Sequence, residues 1–139
     1  MLDELLRRVS NHTPQLLETD GRFPEAAVLV PITRSDEPEL ILTLRASGLS
    51  THGGEVAFPG GRRDPEDPDL IFTALREAEE EIGLPPGLVE VIGPLSPLVS
   101  LHGIRVTPYV GVIPDYVEYL ANDAEIAAVF SVPLEFFRQ

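Results

Sequence analysis

The segment LIFTALREAEEEIG, residues 70–83, carries a clear helical pattern and stands between two sets of strand-like runs. Ile71, Ala74, Leu75, Ala78 and Ile82 recur at i, i+3, i+4, i+7 and i+11, which is one apolar stripe. Pro65 and Pro68 exclude helix interior just before it, and Gly83 followed by Pro85 and Pro86 stops it. Asp67 is placed to cap this helix, with Pro68 as its first residue. Ahead of it lie the apolar runs AAVLVPIT and ELILTLR, separated by the turn-like RSDEP. Behind it lie VEVIGPLSPLV, IRVTPYVGVIP and EIAAVFSVPLEFF. Strands on both sides of one helix, without regular alternation, predict an α+β or mixed-sheet α/β/α domain. The opening MLDELLRRVS reads as a short amphipathic helix.

All 139 residues fit one domain with a real core. No apolar run approaches the roughly 18 residues needed to cross a bilayer, and the start lacks a signal peptide's basic-then-apolar order. A cytoplasmic protein without a membrane partner is the expectation. The absence of cysteine excludes disulfides, thiolate metal sites and a cysteine nucleophile. Ten basic residues, all arginine, face 23 acidic ones, for a formal charge of −13. That balance argues against nucleic acid, which requires a positive footprint. A phosphate compound could be held only through local arginines, backbone amides or bound cations.

REAEEEIGL, residues 76–84, puts four glutamates into five positions. Like charges three and four apart on a helix repel. At about 100° per residue, Glu77, Glu80 and Glu81 fall within a fan of roughly 100°, beside the apolar stripe, and Glu79 points nearly the opposite way. A solvated acidic face is the plain reading of such a run. Carboxylates at the edge of a buried face are instead partly desolvated and costly unless a cation joins them. Three converging oxygens suit a hard cation such as Mg²⁺ or Mn²⁺.

Residues 61–84, GRRDPEDPDLIFTALREAEEEIGL, resemble the signature box of Nudix hydrolases. The half carried by Arg76, Glu77, Ala78, Glu80, Glu81, Gly83 and Leu84 is met in full. The first half departs, because Gly61 lies one position too far from Arg76 and Asp67 stands where the box has glutamate. Residues 41–61, ILTLRASGLSTHGGEVAFPGG, are similar to the additional signature of Nudix enzymes acting on coenzyme A. Leu42, Thr43, Arg45, Ala46, Gly54, Phe58, Pro59, Gly60 and Gly61 match it, whereas Ser50 replaces an arginine. SLHGIRVTPYVG and AEIAAVFSVPLEFF extend the likeness over most of the chain.

The resemblance implies a Nudix-type α/β/α sandwich with a mixed central sheet. Relatives continue past VPLEFF through a last helix, so the expectation is a chain truncated after Gln139 that lacks it. The implied reaction is Mg²⁺- or Mn²⁺-dependent hydrolysis of the pyrophosphate of coenzyme A or its derivatives, to 3′,5′-ADP and (acyl-)4′-phosphopantetheine. By position, Glu77, Glu80 and Glu81 hold metal, with Glu77 and Glu81 foremost, and Arg76 orients a box glutamate. Gly60 and Gly61 let the backbone approach metal or phosphate, and Arg45 reaches a substrate phosphate. Glu125 is the candidate distant acid that takes the proton, alongside a box glutamate such as Glu77. Arg62 and Arg63 read as solvated loop charge, and His52 and His102 as loop histidines. A small nucleotide derivative is the implied partner, with a homodimer left open. ADP-ribose or a nucleotide remains an alternative substrate, as does a non-catalytic Nudix-like binding module.

Overall fold

The computed structural model describes residues 2–12, 23–47 and 54–138. The chain forms helix α1 (Leu2–Asn11), strands β1 (Glu25–Thr33), β2 (Glu39–Arg45), β3 (Val56–Ala57) and β4 (Gly60–Arg62), and helix α2 (Leu70–Ile82). Strands β5 (Glu90–Pro94), β6 (Leu98–Val99), β7 (Arg105–Ile113) and β8 (Ile126–Pro133) follow, with 3₁₀ turns at Pro86–Leu88 and Leu134–Arg138. The near-continuous apolar run of β1 reflects burial on both faces. Ala27 and Leu29 meet Ala74, Ala78 and Ile82 of α2 on one side. Val30 and Ile32 meet Leu2 and Val9 of α1 on the other. The predicted α/β/α sandwich with a mixed sheet is therefore the fold observed.

One irregularity of the sheet matters for function. Strand β1 runs parallel to β7 over its whole length, from Glu25 opposite Arg105 to Thr33 opposite Ile113. On its other edge β1 meets β2 only at Ile32 opposite Leu40. The two strands splay, and β3 and β4 fill the opening. β3 pairs with Thr43 and Leu44 of β2, and β4 pairs with Ala26 to Val28 of β1. The Thr43 hydroxyl fixes β3 by donating to the Ala57 carbonyl at 2.8 Å, and Leu29 N–H donates to the Pro59 carbonyl at 2.8 Å. Strand β8 lies antiparallel along the outer edge of β2, and β5 and β6 pair with β7.

Two local expectations for α2 need correction. The helix starts at Leu70, and its N-cap is Asp69, whose Oδ1 accepts from Phe72 N–H at 2.8 Å. Asp67 is not the cap, because its carboxylate is already engaged by Asp64 N–H and by the Thr73 and Arg76 side chains of α2. The buried face is also rotated from the apolar stripe. Ala74, Ala78 and Ile82 are buried, but so are Thr73 and Glu81, while Ile71 projects into solvent. The helix therefore turns a polar edge toward the β3–β4 crossing, and Ile71 sits on a first turn that the sheet does not cover. At the other end Gly83 adopts the left-handed conformation (φ 70°) and donates to the Glu79 carbonyl, the expected stop. Among the described residues no helix is long and apolar enough to cross a membrane.

Gly60 is required by contact rather than by dihedral angle. A Cβ there would lie 2.4 Å from the Ala27 carbonyl oxygen and 2.5 Å from Val28 Cγ1. Backbone cannot move aside cheaply, so Gly60→Ala is expected to cost about 1–3 kcal/mol or more in urea unfolding. Gly87→Ala, where a Cβ meets nothing within 4 Å, is the control and should stay within about 0.5 kcal/mol of wild type.

Candidate active site

The loop between β4 and α2 is organised by one buried carboxylate. Asp67 is only 4% exposed and accepts from Asp64 N–H (2.9 Å), the Thr73 hydroxyl (2.8 Å), and Arg76 Nε (3.1 Å) and Nη2 (2.9 Å). The Arg76 guanidinium holds Asp67 well below the usual carboxylate range, against the opposing effect of burial, with the Asp64 and Thr73 bonds adding to it. Arg76, raised in turn chiefly by Asp67, reaches on to Glu77 at 3.1 Å and Glu80 at 3.3 Å. Its Nη2 also donates to the Arg62 carbonyl at 3.3 Å, tying the end of β4 to the helix.

Glu77 and Glu81 stand one helical turn apart on the edge that faces β4. A Cβ on Gly61 would lie 2.5 Å from Glu77 Oε2, so this carboxylate rests directly against the glycine backbone. Glu81 is 3% exposed and accepts from the Gly60 N–H, yet its Oε1 is buried with no hydrogen-bond partner. Burial and then the Glu77 charge push Glu81 up to about 8, against the Gly60 N–H and Arg45, which favour its ionised form. Burial and Glu80 raise Glu77 as well, and Arg76 opposes them.

Two further predicted residues come to the same place. Arg45, at the end of β2, acts electrostatically on Glu81, and its own Nε is buried without a partner. Glu125 precedes β8, and its carbonyl accepts from Ala46 N–H at 2.8 Å, beside Arg45. Its charge raises both Glu77 and Glu81. Residues from α2, β2, β4 and the approach to β8 thus share one locus, where β1 and β2 splay.

Other placements differ from the sequence reading. The fan of three glutamates divides, because Glu80 remains half exposed and is drawn toward Arg76. Among the described residues no three His, Asp or Glu side chains form a ready cage for an ion. Arg63 is not simply solvated loop charge, since it donates to the Asp67 and Pro68 carbonyls and lies 3.6 Å from Glu25. Glu25 in turn holds Arg105 at 2.8 Å, so the loop is clasped to the first residues of β1 and β7. Arg62 is exposed, and His102 is exposed between β6 and β7. His52 and Ser50 lie outside the described residues. Sequence reasoning named Glu125 but left residues 115–123, which cross the end of α2 just before it, without a role; a local signal there is the turn-forming Asn122-Asp123. A separate cleft of about 550 Å³ is lined by Ser35, Asp36, Glu37, Glu39, Asp115 and Pro133. Four carboxylates and no cation make it unsuited to a phosphate compound.

The donor set fits a divalent cation: Glu81 has an orphaned buried oxygen, Glu77 is desolvated beside it, and both are oxygen ligands. Without metal the burial of Glu81 destabilises the fold wherever the group must ionise. Its carboxyl goes from 4.5 in the unfolded chain to about 8 in the folded one, so the folded state binds the extra proton between those values. Stability therefore falls as pH rises across this window, by at most about 1.4 kcal/mol per unit from this group, and the loss is complete above it. Thermal melts in EDTA should show Glu81→Gln gaining stability relative to wild type from pH 5 to pH 8.5, with the gain largest at high pH. A constant difference across that range would count against the buried, unpaired state of Glu81.

Residues 23–135 match the NUDIX domain family. The chain is 50% identical over 133 residues to the Nudix hydrolase NudL of Cronobacter sakazakii, covering 96% of this chain and 69% of that protein. It is 48% identical over 134 residues to NudL of Shigella sonnei, covering 96% and 70%. Among solved structures, the fold resembles the M. smegmatis Nudix hydrolase RenU, with a TM-score of 0.67, 24% identity, and coverage of 79% of this chain and 70% of that one. It also resembles the NUDIX domain of Shewanella oneidensis NrtR complexed with ADP ribose, with a TM-score of 0.65, 20% identity, and coverage of 94% and 84%. With its box helix, its glycine turn and its buried acids all in one place, the chain belongs to the Nudix family, as one of its hydrolases.

Proposed function

We propose that this chain is a metal-dependent pyrophosphatase acting on coenzyme A or its derivatives, releasing 3′,5′-ADP and 4′-phosphopantetheine or its acylated form. The observation that carries the metal site is the buried, partnerless Oε1 of Glu81 next to Glu77. Glu77 and Glu81 hold Mg²⁺ or Mn²⁺, and Glu80 joins them from the edge of the set. The bound ion supplies neutralisation of phosphate charge and an oriented water.

The chain's own residues supply the rest. Arg45, a cation with an unengaged Nε, binds a phosphate oxygen at the mouth of the splay. Gly61 leaves the space that the Glu77 carboxylate fills, and Gly60 offers its N–H to Glu81, so backbone at 60–61 holds both acids at the floor of the site. Arg76 orients Glu77 and Glu80 and does not touch substrate. Glu125 accepts the proton of the attacking water as its oxygen bonds to phosphorus and the bridging P–O bond breaks.

The coenzyme A assignment rests on residues 41–61. Their matching positions form one structural unit: Thr43 anchors β3, Phe58 and Pro59 cross the splay, and Gly60 and Gly61 face the acids. Ser50, where that signature has arginine, favours ADP-ribose or another nucleoside diphosphate derivative as the second reading.

Hydrolysis of coenzyme A and ADP-ribose should be assayed side by side with Mg²⁺ and Mn²⁺. Release of 3′,5′-ADP from coenzyme A at the higher kcat/KM is the expected result, and turnover of ADP-ribose alone would transfer the assignment to the second reading. Glu81→Gln is expected to abolish hydrolysis while leaving the fold intact by circular dichroism. Wild-type turnover in that variant would remove the metal assignment.

A further inference from the structure

The last turn of α2 contains no basic residue and carries three consecutive glutamates, the wrong sign for a helix C-terminus. Its free carbonyls are satisfied from outside the helix. Leu120 N–H donates to the Ile82 carbonyl at 2.9 Å, and Asn122 N–H donates to the Glu81 carbonyl at 2.8 Å. The segment that provides them presses close on the helix stop, since a Cβ on Gly83 would lie 3.1 Å from Leu120 Cβ.

Asn122 does more than cap. Its carbonyl accepts from Glu125 N–H at 2.9 Å and Ile126 N–H at 2.8 Å, and its Oδ1 accepts from Ala124 N–H at 3.2 Å. The Oδ1 bond closes an Asx-turn, which fixes the path of residues 122–124. One residue therefore binds the backbone of Glu81 on one side and the turn that delivers Glu125 on the other. The far side of that turn is held to β2 by the bond from Ala46 N–H to the Glu125 carbonyl.

We propose that Asn122 is a positioning residue for hydrolysis, setting Glu125 against the Glu77–Glu81 pair through its Asx-turn and its bond to the Glu81 carbonyl. Asn122 is exposed, and its side-chain bond goes to the Ala124 N–H of the turn before Glu125, so it acts through Glu125 and not on substrate. The inference rests on the reading of Glu125 as the acid that takes the water's proton. Replacing the side chain leaves the backbone bonds available but removes the acceptor that shapes the turn. Aspartate at this position retains an acceptor.

The test is a double-mutant cycle on the whole chain with Mn²⁺ and whichever of coenzyme A and ADP-ribose the wild type hydrolyses. Asn122→Ala is expected to lower kcat about tenfold with little change in KM or Tm, a misplacement effect. Asn122→Asp should restore most of the rate. Glu125→Gln should lower kcat by about 10²-fold or more, and adding Asn122→Ala to it should cost nothing further. If Asn122→Ala does not fold, Asn122→Gly makes the same deletion of Oδ1. Wild-type kcat in Glu125→Gln would remove both the base assignment and this proposal. A slow Glu125→Gln beside an unimpaired Asn122→Ala would overturn the proposal alone. An equal loss from Asn122→Ala in both backgrounds would also overturn it, since the residue would then act without Glu125.

Discussion

The ion pair between Asp67 and Arg76 is the constraint on which the site's geometry depends. Two guanidinium nitrogens bond the two oxygens of a carboxylate that is almost fully enclosed. A buried charge pair is tolerated when its remaining hydrogen-bonding capacity is used, and here Asp64 N–H and the Thr73 hydroxyl use it. Because the loop is thereby fixed to the third and sixth helical positions after Leu70, the guanidinium has one place to be. From there its Nη1 meets Glu77 and Glu80, so the orientation of two acids follows from the burial of a third.

The second condition is the splay between β1 and β2. A regular sheet would fill this region with side chains from both strands. The short strands β3 and β4 substitute backbone and glycine for them. Glu77 can lie against Gly61 only because that glycine has no Cβ in the way, and Glu81 takes the N–H of Gly60, which is itself pressed against β1. The same closeness desolvates both carboxylates. The raised carboxyls of Glu77 and Glu81 thus follow from one packing choice.

The sandwich, the helix and its stop were legible in the sequence because they follow from local periodicity and from proline and glycine. The locus shared by Glu77, Glu81, Arg45, Gly60, Gly61 and Glu125 was named residue by residue from the likeness to Nudix sequences. Three features were not legible. The capping role shifted from Asp67 to Asp69 because a side chain nine residues downstream claimed Asp67, and no local rule scores that competition. Ile71 left the core and Thr73 entered it because a hydroxyl satisfied by Asp67 can be buried where an isolated one cannot. Glu80 separated from its neighbours because Arg76 reaches it at i+4, an attraction that a helical wheel of carboxylates alone leaves out.

In a chain of formal charge −13, any site for an anion must confine positive potential to one spot. Of the arginines in the described structure, Arg76, Arg105 and Arg63 are committed to acids and carbonyls, and Arg8 and Arg34 pair on the exposed surface. Arg45 alone stands at the acidic pair with a buried nitrogen unengaged. Its charge opposes the rise of the Glu81 carboxyl but does not prevent it, since burial and the Glu77 charge outweigh it. On the proposed reading, a divalent cation at Glu77 and Glu81 would add the positive charge that an anionic substrate needs beside Arg45.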